Sequence, residues 1–219
     1  VIKNSNHLQQ IDNNSLVGNM LHNRRVLYGL LYVKHYFDFF DPTYLFFKGD
    51  VNPRFSTQST GELYLFMLPL ILIGMYGVSK RDGKNKYLLF GWFLIAPIAA
   101  ATARETPHAL RSETFIPLYE IFAAFGFSML LQFERKISKK LTIISLIFFS
   151  CIVMYYLTDF LHSYFVHSPR LYSEDWQYGY KQAVAEAERR KNVYDEIYFT
   201  NTYGRAYIYV LWYGNYSPV

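Results

Sequence analysis

Apolar residues along this chain fall in long runs rather than in the short alternations of a soluble domain. Four runs approach the roughly 20 residues that a helix rising about 1.5 Å per residue needs to cross about 30 Å of hydrocarbon. They cover residues 61–78, 87–103, 114–131 and 141–157. Three of them carry a proline, Pro69, Pro97 and Pro117, which a membrane bundle tolerates because neighbouring groups satisfy the freed carbonyl. The expected fold is mainly α, a polytopic membrane helix bundle of about four transmembrane helices. Ahead of it, residues 1–60 read as a loop region holding one helix at 24–40. There Val26, Leu27, Leu30, Leu31, Val33 and Phe37 are set against Arg24, Arg25 and Lys34. Such a helix suits the headgroup layer, and it equally suits packing on the rest of its domain. Pro42 ends it, because its ring disfavours helical geometry at Asp41. The trailing segment, 158–219, reads as a small α/β piece. It has a helix at 174–191, a strand at 194–200 in which Ile197 and Phe199 share a face, and a stretch at 205–213 that fits either state.

Composition alone would leave this open, since 52% hydrophobic residues also fit an aromatic-rich soluble domain. The distribution of charge decides it. Charged residues are 18% of the chain, against roughly 25% in an average soluble protein, and they gather between the apolar runs. Residues 79–86 carry Lys80, Arg81, Lys84 and Lys86, and residues 132–140 carry Arg135, Lys136, Lys139 and Lys140. Short cytoplasmic loops accumulate such residues, so both segments are expected inside. Residues 104–112, the first sixty and everything after about 158 then lie outside, which describes a multi-pass plasma-membrane protein whose partner is the bilayer. The net charge of +5 is accounted for by topology, so no nucleic acid is expected. A single cysteine, Cys151, excludes an intrachain disulfide. The polar opening without a methionine and the ending without a polar tail are what a fragment would show.

Residues 104–112 are the densest in chemistry. Thr106 before Pro107 predicts a helix start, a capping hydroxyl followed by a residue whose missing N–H is harmless at the first helical position. His108, Arg111 and Ser112 would then share one face. Free N–H groups, guanidiniums and an imidazole form a receptor for an anion, which at the outer surface is a lipid phosphate. The plainer alternative pairs Arg104 and Arg111 with Glu105 and Glu113. A second loop, 49–57, carries Asp50, Asn52, Arg54 and Ser56 and leads to Glu62. It suits a sugar or a phosphate, although surface loops are polar by default. Glu120 falls inside the third run. A carboxylate at mid-bilayer costs about 2.5–3.5 kcal/mol, so Glu120 should face protein or a wet cavity, be protonated, or pair with an arginine near the outer interface. There is no phosphate-binding glycine loop, dinucleotide fingerprint or paired-cysteine site, and the six histidines lack ligand spacing. No cofactor and no metal are expected.

The run from Tyr44 to Thr57 (YLFFKGDVNPRFST), the Gly61-Glu62-Leu63-Tyr64 entry into an apolar helix, and the string from Pro107 to Ser112 (PHALRS) together resemble bacterial membrane glycosyltransferases of the type C fold. These are relatives of protein O-mannosyltransferases and lipid A aminoarabinose transferases. The resemblance covers residues 44 to about 127 and, more loosely, 176–218. Relatives commonly carry histidine after the loop arginine, where Phe55 stands here. The resemblance implies an enzyme that moves a sugar from a polyprenyl-phosphate-linked donor to an acceptor lipid, glycan or protein at the outer face. Its general base would lie in an earlier outside loop, ahead of this chain. It implies Arg104, His108, Arg111 and Arg54 as donor-phosphate contacts, and Asp50, Ser56, Glu62 and Glu120 as the sugar or acceptor pocket. The alternative is a non-catalytic polyprenyl-phosphate-sugar binder or transporter, but the inverted repeats of transporters are not found.

Overall fold

The computed structural model describes residues 1–13, 15–202 and 204–216. The described chain is mainly helical, 68%, with no strand. In chain order its helices are α1 (Ile2–Ile11), α2 (Leu16–Leu21), α3 (Arg24–Asp38), α4 (Met67–Lys80), α5 (Asn85–Ala100), α6 (Ala109–Ser112), α7 (Ile116–Ile137), α8 (Lys139–His162), α9 (Ser168–Leu171), α10 (Tyr180–Arg190) and α11 (Ala206–Tyr213). Two compact units divide the chain, Val1–Tyr156 and Leu157–Val219.

Local chemistry sets the helix ends of the first unit. The Asn23 side chain accepts from the Arg25 N–H and opens α3, an N-cap of the ordinary kind. α3 stops at Asp38, just ahead of Asp41-Pro42, as the proline predicts. Pro117 stands in the first turn of α7, where its missing N–H leaves nothing unsatisfied. Pro97 is interior to α5, and α3 supplies side-chain donors to the carbonyls around it. The Tyr36 hydroxyl donates to the Leu94 carbonyl at 2.9 Å, and the Tyr32 hydroxyl to that of Ile98 at 3.1 Å. His35 Nδ1 lies 3.3 Å from the Ala101 carbonyl and must be its donor. The Ile98 and Ala101 carbonyls stand at the helix end, where no intrahelical partner remains, so α3 is bonded to α5 through its polar side chains.

The core gathers at the loop end of the helices. Phe39, Phe115, Leu118 and Phe122 are fully buried, and their rings meet edge on, Phe39 with Phe115 at 6.0 Å and Phe93 with Phe122 at 5.9 Å. Below it α4 and α7 cross in backbone contact. A Cβ on Gly74 would stand 1.8 Å from the Phe122 carbonyl oxygen, and one on Gly126 1.9 Å from that of Leu70. Such an approach needs glycine on both helices.

α7 has 22 residues and α8 has 24. Ile116–Ile137 and the continuous helical run Lys139–Leu171 are long and apolar enough to cross a membrane. α4 and α5, with 14 and 16 residues, are apolar but shorter than the roughly 20 that crossing requires. Two of the four expected spans therefore have the length. The first of the four begins later than its apolar run, because residues 61–63 are held elsewhere. Leu63 N donates to the Leu45 carbonyl at 2.7 Å, against a single π-helical turn, Thr43–Lys48. The basic stretch at 132–140, expected as a loop, is helical except at Ser138. Phe127 and Phe149, equidistant along the chain from Ser138, meet edge on at 4.9 Å. That pairing folds α7 and α8 back on one another.

In the second unit Val184 and Ala206 are buried between α10 and α11, and the Tyr180 and Tyr209 rings stack at 4.6 Å. α10 begins at Tyr180, later than its pattern predicts, after Gly179 at φ 104°. The expected strand at 194–200 is absent, and the residues there are irregular. A strand needs a ladder partner, and residues 206–213, the candidate partner, are wound into α11. The trailing unit is therefore helical rather than α/β among the described residues.

Candidate functional site

Two loops far apart in sequence meet at Asp50. Its Oδ1 accepts from Asn52 N at 2.8 Å, which closes a local turn. Its Oδ2 reaches across the fold and accepts from Ala109 N at 2.7 Å, the first amide of α6. The Gln58 amide donates to the Asp50 carbonyl at 2.6 Å. Asp50 is thus buried with both carboxylate oxygens bonded. His108 packs beside it, its ring 4.7 Å from that of Phe55. His108 Nδ1 lies 3.8 Å from Asp50 Oδ2, beyond hydrogen-bond reach, and is buried without a hydrogen-bond partner. An imidazole nitrogen left without a partner there is placed to bond a polar ligand atom.

Glu62 joins the cluster from a third direction. It lies ahead of α4, where Gly61 allows the chain to press on the π turn. A Cβ at Gly61 would stand 2.5 Å from the Leu45 carbonyl oxygen. Glu62 Oε1 then accepts from Asp50 N at 3.0 Å. Burial raises its carboxyl from an ordinary 4.5 to about 7. The Asp50 N–H opposes that rise, and the Asp50 carboxylate adds to it. Beneath the cluster the Ser112 hydroxyl donates to the His108 carbonyl at 3.0 Å. Its one proton is so engaged, and the Tyr44 hydroxyl must donate to Ser112 Oγ at 2.7 Å. Burial raises the Tyr44 phenol above its usual range and keeps it a neutral donor.

The structure brings together Asp50, Glu62 and His108, and it assigns some of them other work than their spacing predicts. Thr106 and Pro107 do not start the helix. α6 begins at Ala109 after His108, and the Thr106 hydroxyl donates to Asp38 Oδ2 at 3.0 Å instead. The anion at that helix start is the protein's own Asp50, because a buried carboxylate two loops away outcompetes a cap from the preceding residue. His108 and Ser112 are buried while Arg111 is exposed. One N–H of Arg111 donates to the Glu105 carbonyl at 2.9 Å, so the pairing is with backbone rather than with the Glu105 carboxylate. Arg54 and Arg104 are exposed on the same two loops. Ser56 accepts from Gln58 N at 3.1 Å and stiffens its own loop. Glu120 is exposed on α7 and makes no ion pair among the described residues, so the expected arginine partner is not there. Tyr44 and the Ala109 amide were not legible as site members, since no local pattern joins a tyrosine to a serine 68 positions away.

Fold and site together define a mainly helical protein with two helices of membrane-crossing length and a buried acid–histidine cluster in its loops. No protein-family model, curated protein or solved structure matches the chain. Among the described residues no group of three or more His, Cys, Asp or Glu side chains is placed to hold a metal ion.

Proposed function

We propose that the protein is a membrane glycosyltransferase. It moves a sugar from a polyprenyl-phosphate-linked donor to an acceptor lipid, glycan or protein at the outer face of the plasma membrane, on a bundle of about four spans. The observation that carries this reading is the meeting of Asp50, Glu62 and His108, which joins the two loops that the resemblance puts on the donor side. It is supported by three exposed arginines, Arg54, Arg104 and Arg111, on those same loops. In the transfer the acceptor hydroxyl gives its proton to the general base that the resemblance puts in an earlier outside loop, its oxygen bonds to the anomeric carbon, and the bond to the phosphate oxygen breaks and leaves its electron pair there. Guanidiniums that tighten on this growing charge lower the barrier. Arg111 is the first candidate, since a guanidinium has five N–H donors and only one is taken by Glu105. Asp50 holds the two loops in register.

The test is release of polyprenyl phosphate from a sugar-charged donor by the full-length enzyme, with the outside loop that the resemblance puts ahead of these residues, in lipid nanodiscs. Arg111→Ala should lower turnover at least about tenfold with no loss of folded protein, and unchanged turnover would sink the assignment. Tight binding of the charged lipid with no release would favour a non-catalytic binder.

A further inference from the structure

α3 is built inside out for a soluble helix. Its hydrogen-bonding side chains, Tyr32, His35 and Tyr36, are turned to the carbonyls of α5. Part of its apolar side is turned outward as a stripe, with Leu30 60% and Phe37 62% exposed and Val26 and Val33 beside them, while Leu27 and Leu31 are half-buried. At 3.6 residues per turn the stripe lies roughly 140° around the helix from the bonded side chains. The bonds hold it there. A helix free to choose in water would roll its leucine and phenylalanine inward and its tyrosine hydroxyls out. Here packing fixes the opposite.

The neighbouring surface says what covers the stripe. α5 exposes Leu88, Ile95 and Ile98, and α8 exposes Ile143, Ile144, Ile147 and Phe148. The α5 positions share one side of their helix, but those of α8, with the exposed Leu146 and Val153, run around more than half of theirs, wider than a single protein partner covers but natural for acyl chains. From Val26 to Phe37 the stripe is roughly 16 Å long, about half the hydrocarbon thickness, so α3 fits within one leaflet. Arg24 and Arg25 stand exposed at its start, and neither makes an ion pair with a carboxylate among the described residues. Long cationic side chains at such an end extend to headgroup phosphates.

We infer that α3 lies in one leaflet of the bilayer, its Val26, Leu30, Val33 and Phe37 stripe among the acyl chains. The inference rests on α7 and α8 crossing the same bilayer. It is tested with the full chain carrying Cys151→Ser, in nanodiscs of mixed zwitterionic and anionic phospholipid, with one spin label at a time. Leu30→Cys and Phe37→Cys are the test sites, Ile147→Cys on α8 is the membrane reference and Lys84→Cys the aqueous one. Labels at 30 and 37 should behave as at 147, open to oxygen and several-fold less accessible to a water-soluble nickel chelate than at 84. Nickel access at 30 and 37 with oxygen-type access at 147 overturns the inference alone. Shielding of 30 and 37 from both reagents also overturns it and points to a protein cover. Nickel access at 147 as well overturns the membrane reading, and the inference with it.

Discussion

α7 and α8 are close to each other in length, and they share Ser138 as their only link, yet they live in different surroundings. α7 buries Leu118, Tyr119, Phe122, Ala123 and Gly126, whereas α8 buries Thr142 alone. Hydropathy alone would predict the reverse, with a mean hydropathy of 1.4 for α7 against 2.1 for the run that α8 opens. Small residues account for it: Gly126 on α7 meets Gly74 on α4, and α8 offers no glycine at all. Apolar length says that a helix is suited to a bilayer, and glycine at the crossing says that it has a protein neighbour.

The sharpest way to break this contrast is at the crossing. Gly74→Ala places a Cβ within 2 Å of the Phe122 carbonyl oxygen, and Gly126→Ala does the same at Leu70. Neither atom can give way without moving a helix backbone. Each should cost about 1–3 kcal/mol, read as a lowered unfolding midpoint in detergent. Ile147→Ala on α8, where the side chain is 60% exposed, should stay within about 0.5 kcal/mol. Equal losses at Gly74 and Ile147 would erase the distinction between the helices.

The packed side also extends upward into the loops, and Asp50 tests how far. Asp50→Ala leaves the first amide of α6 without its acceptor and should cost about 0.5–2 kcal/mol. Asp50→Asn keeps an acceptor oxygen and should lose less. Hydrogen exchange at the Ala109 amide reports this directly, and equal protection in wild type and Asp50→Ala would refute the cap. The same loops carry a pH dependence. With its carboxyl raised to about 7 from 4.5, folded Glu62 holds a proton that the unfolded chain releases. Its contribution is fully present below pH 4.5 and is lost as pH rises through 7. Melting curves from pH 4 to 8 should show wild type falling relative to Glu62→Gln over that window. Parallel curves would mean the carboxyl is not held in the buried setting seen here.

How much of this was legible follows from how local each determinant is. The start of α3 at Arg24 and its stop before Pro42 rest on neighbours in sequence, and they read directly, whereas Pro117, read as lying inside its run, stands in the first turn because α7 begins only at Ile116. The start of α4 did not, because residues 61–63 are captured by backbone groups of the π turn. Nor did the role of Thr106, whose hydroxyl is drawn to Asp38 on α3. His108 and Asp50 were each recognised as chemistry-bearing. That they face one another depends on a contact across 58 positions, which no periodicity encodes. The strand expected at 194–200 failed for a related reason, since alternation describes one strand and says nothing of its partner.

Ser138 also bears on how such a protein is made. A one-residue link gives α7 and α8 no loop to be threaded separately through a translocation channel. If both enter a bilayer, they enter as one hairpin. α7 must then wait beside the channel until α8 has left the ribosome, and Arg135, Lys136, Lys139 and Lys140 keep the tip from following.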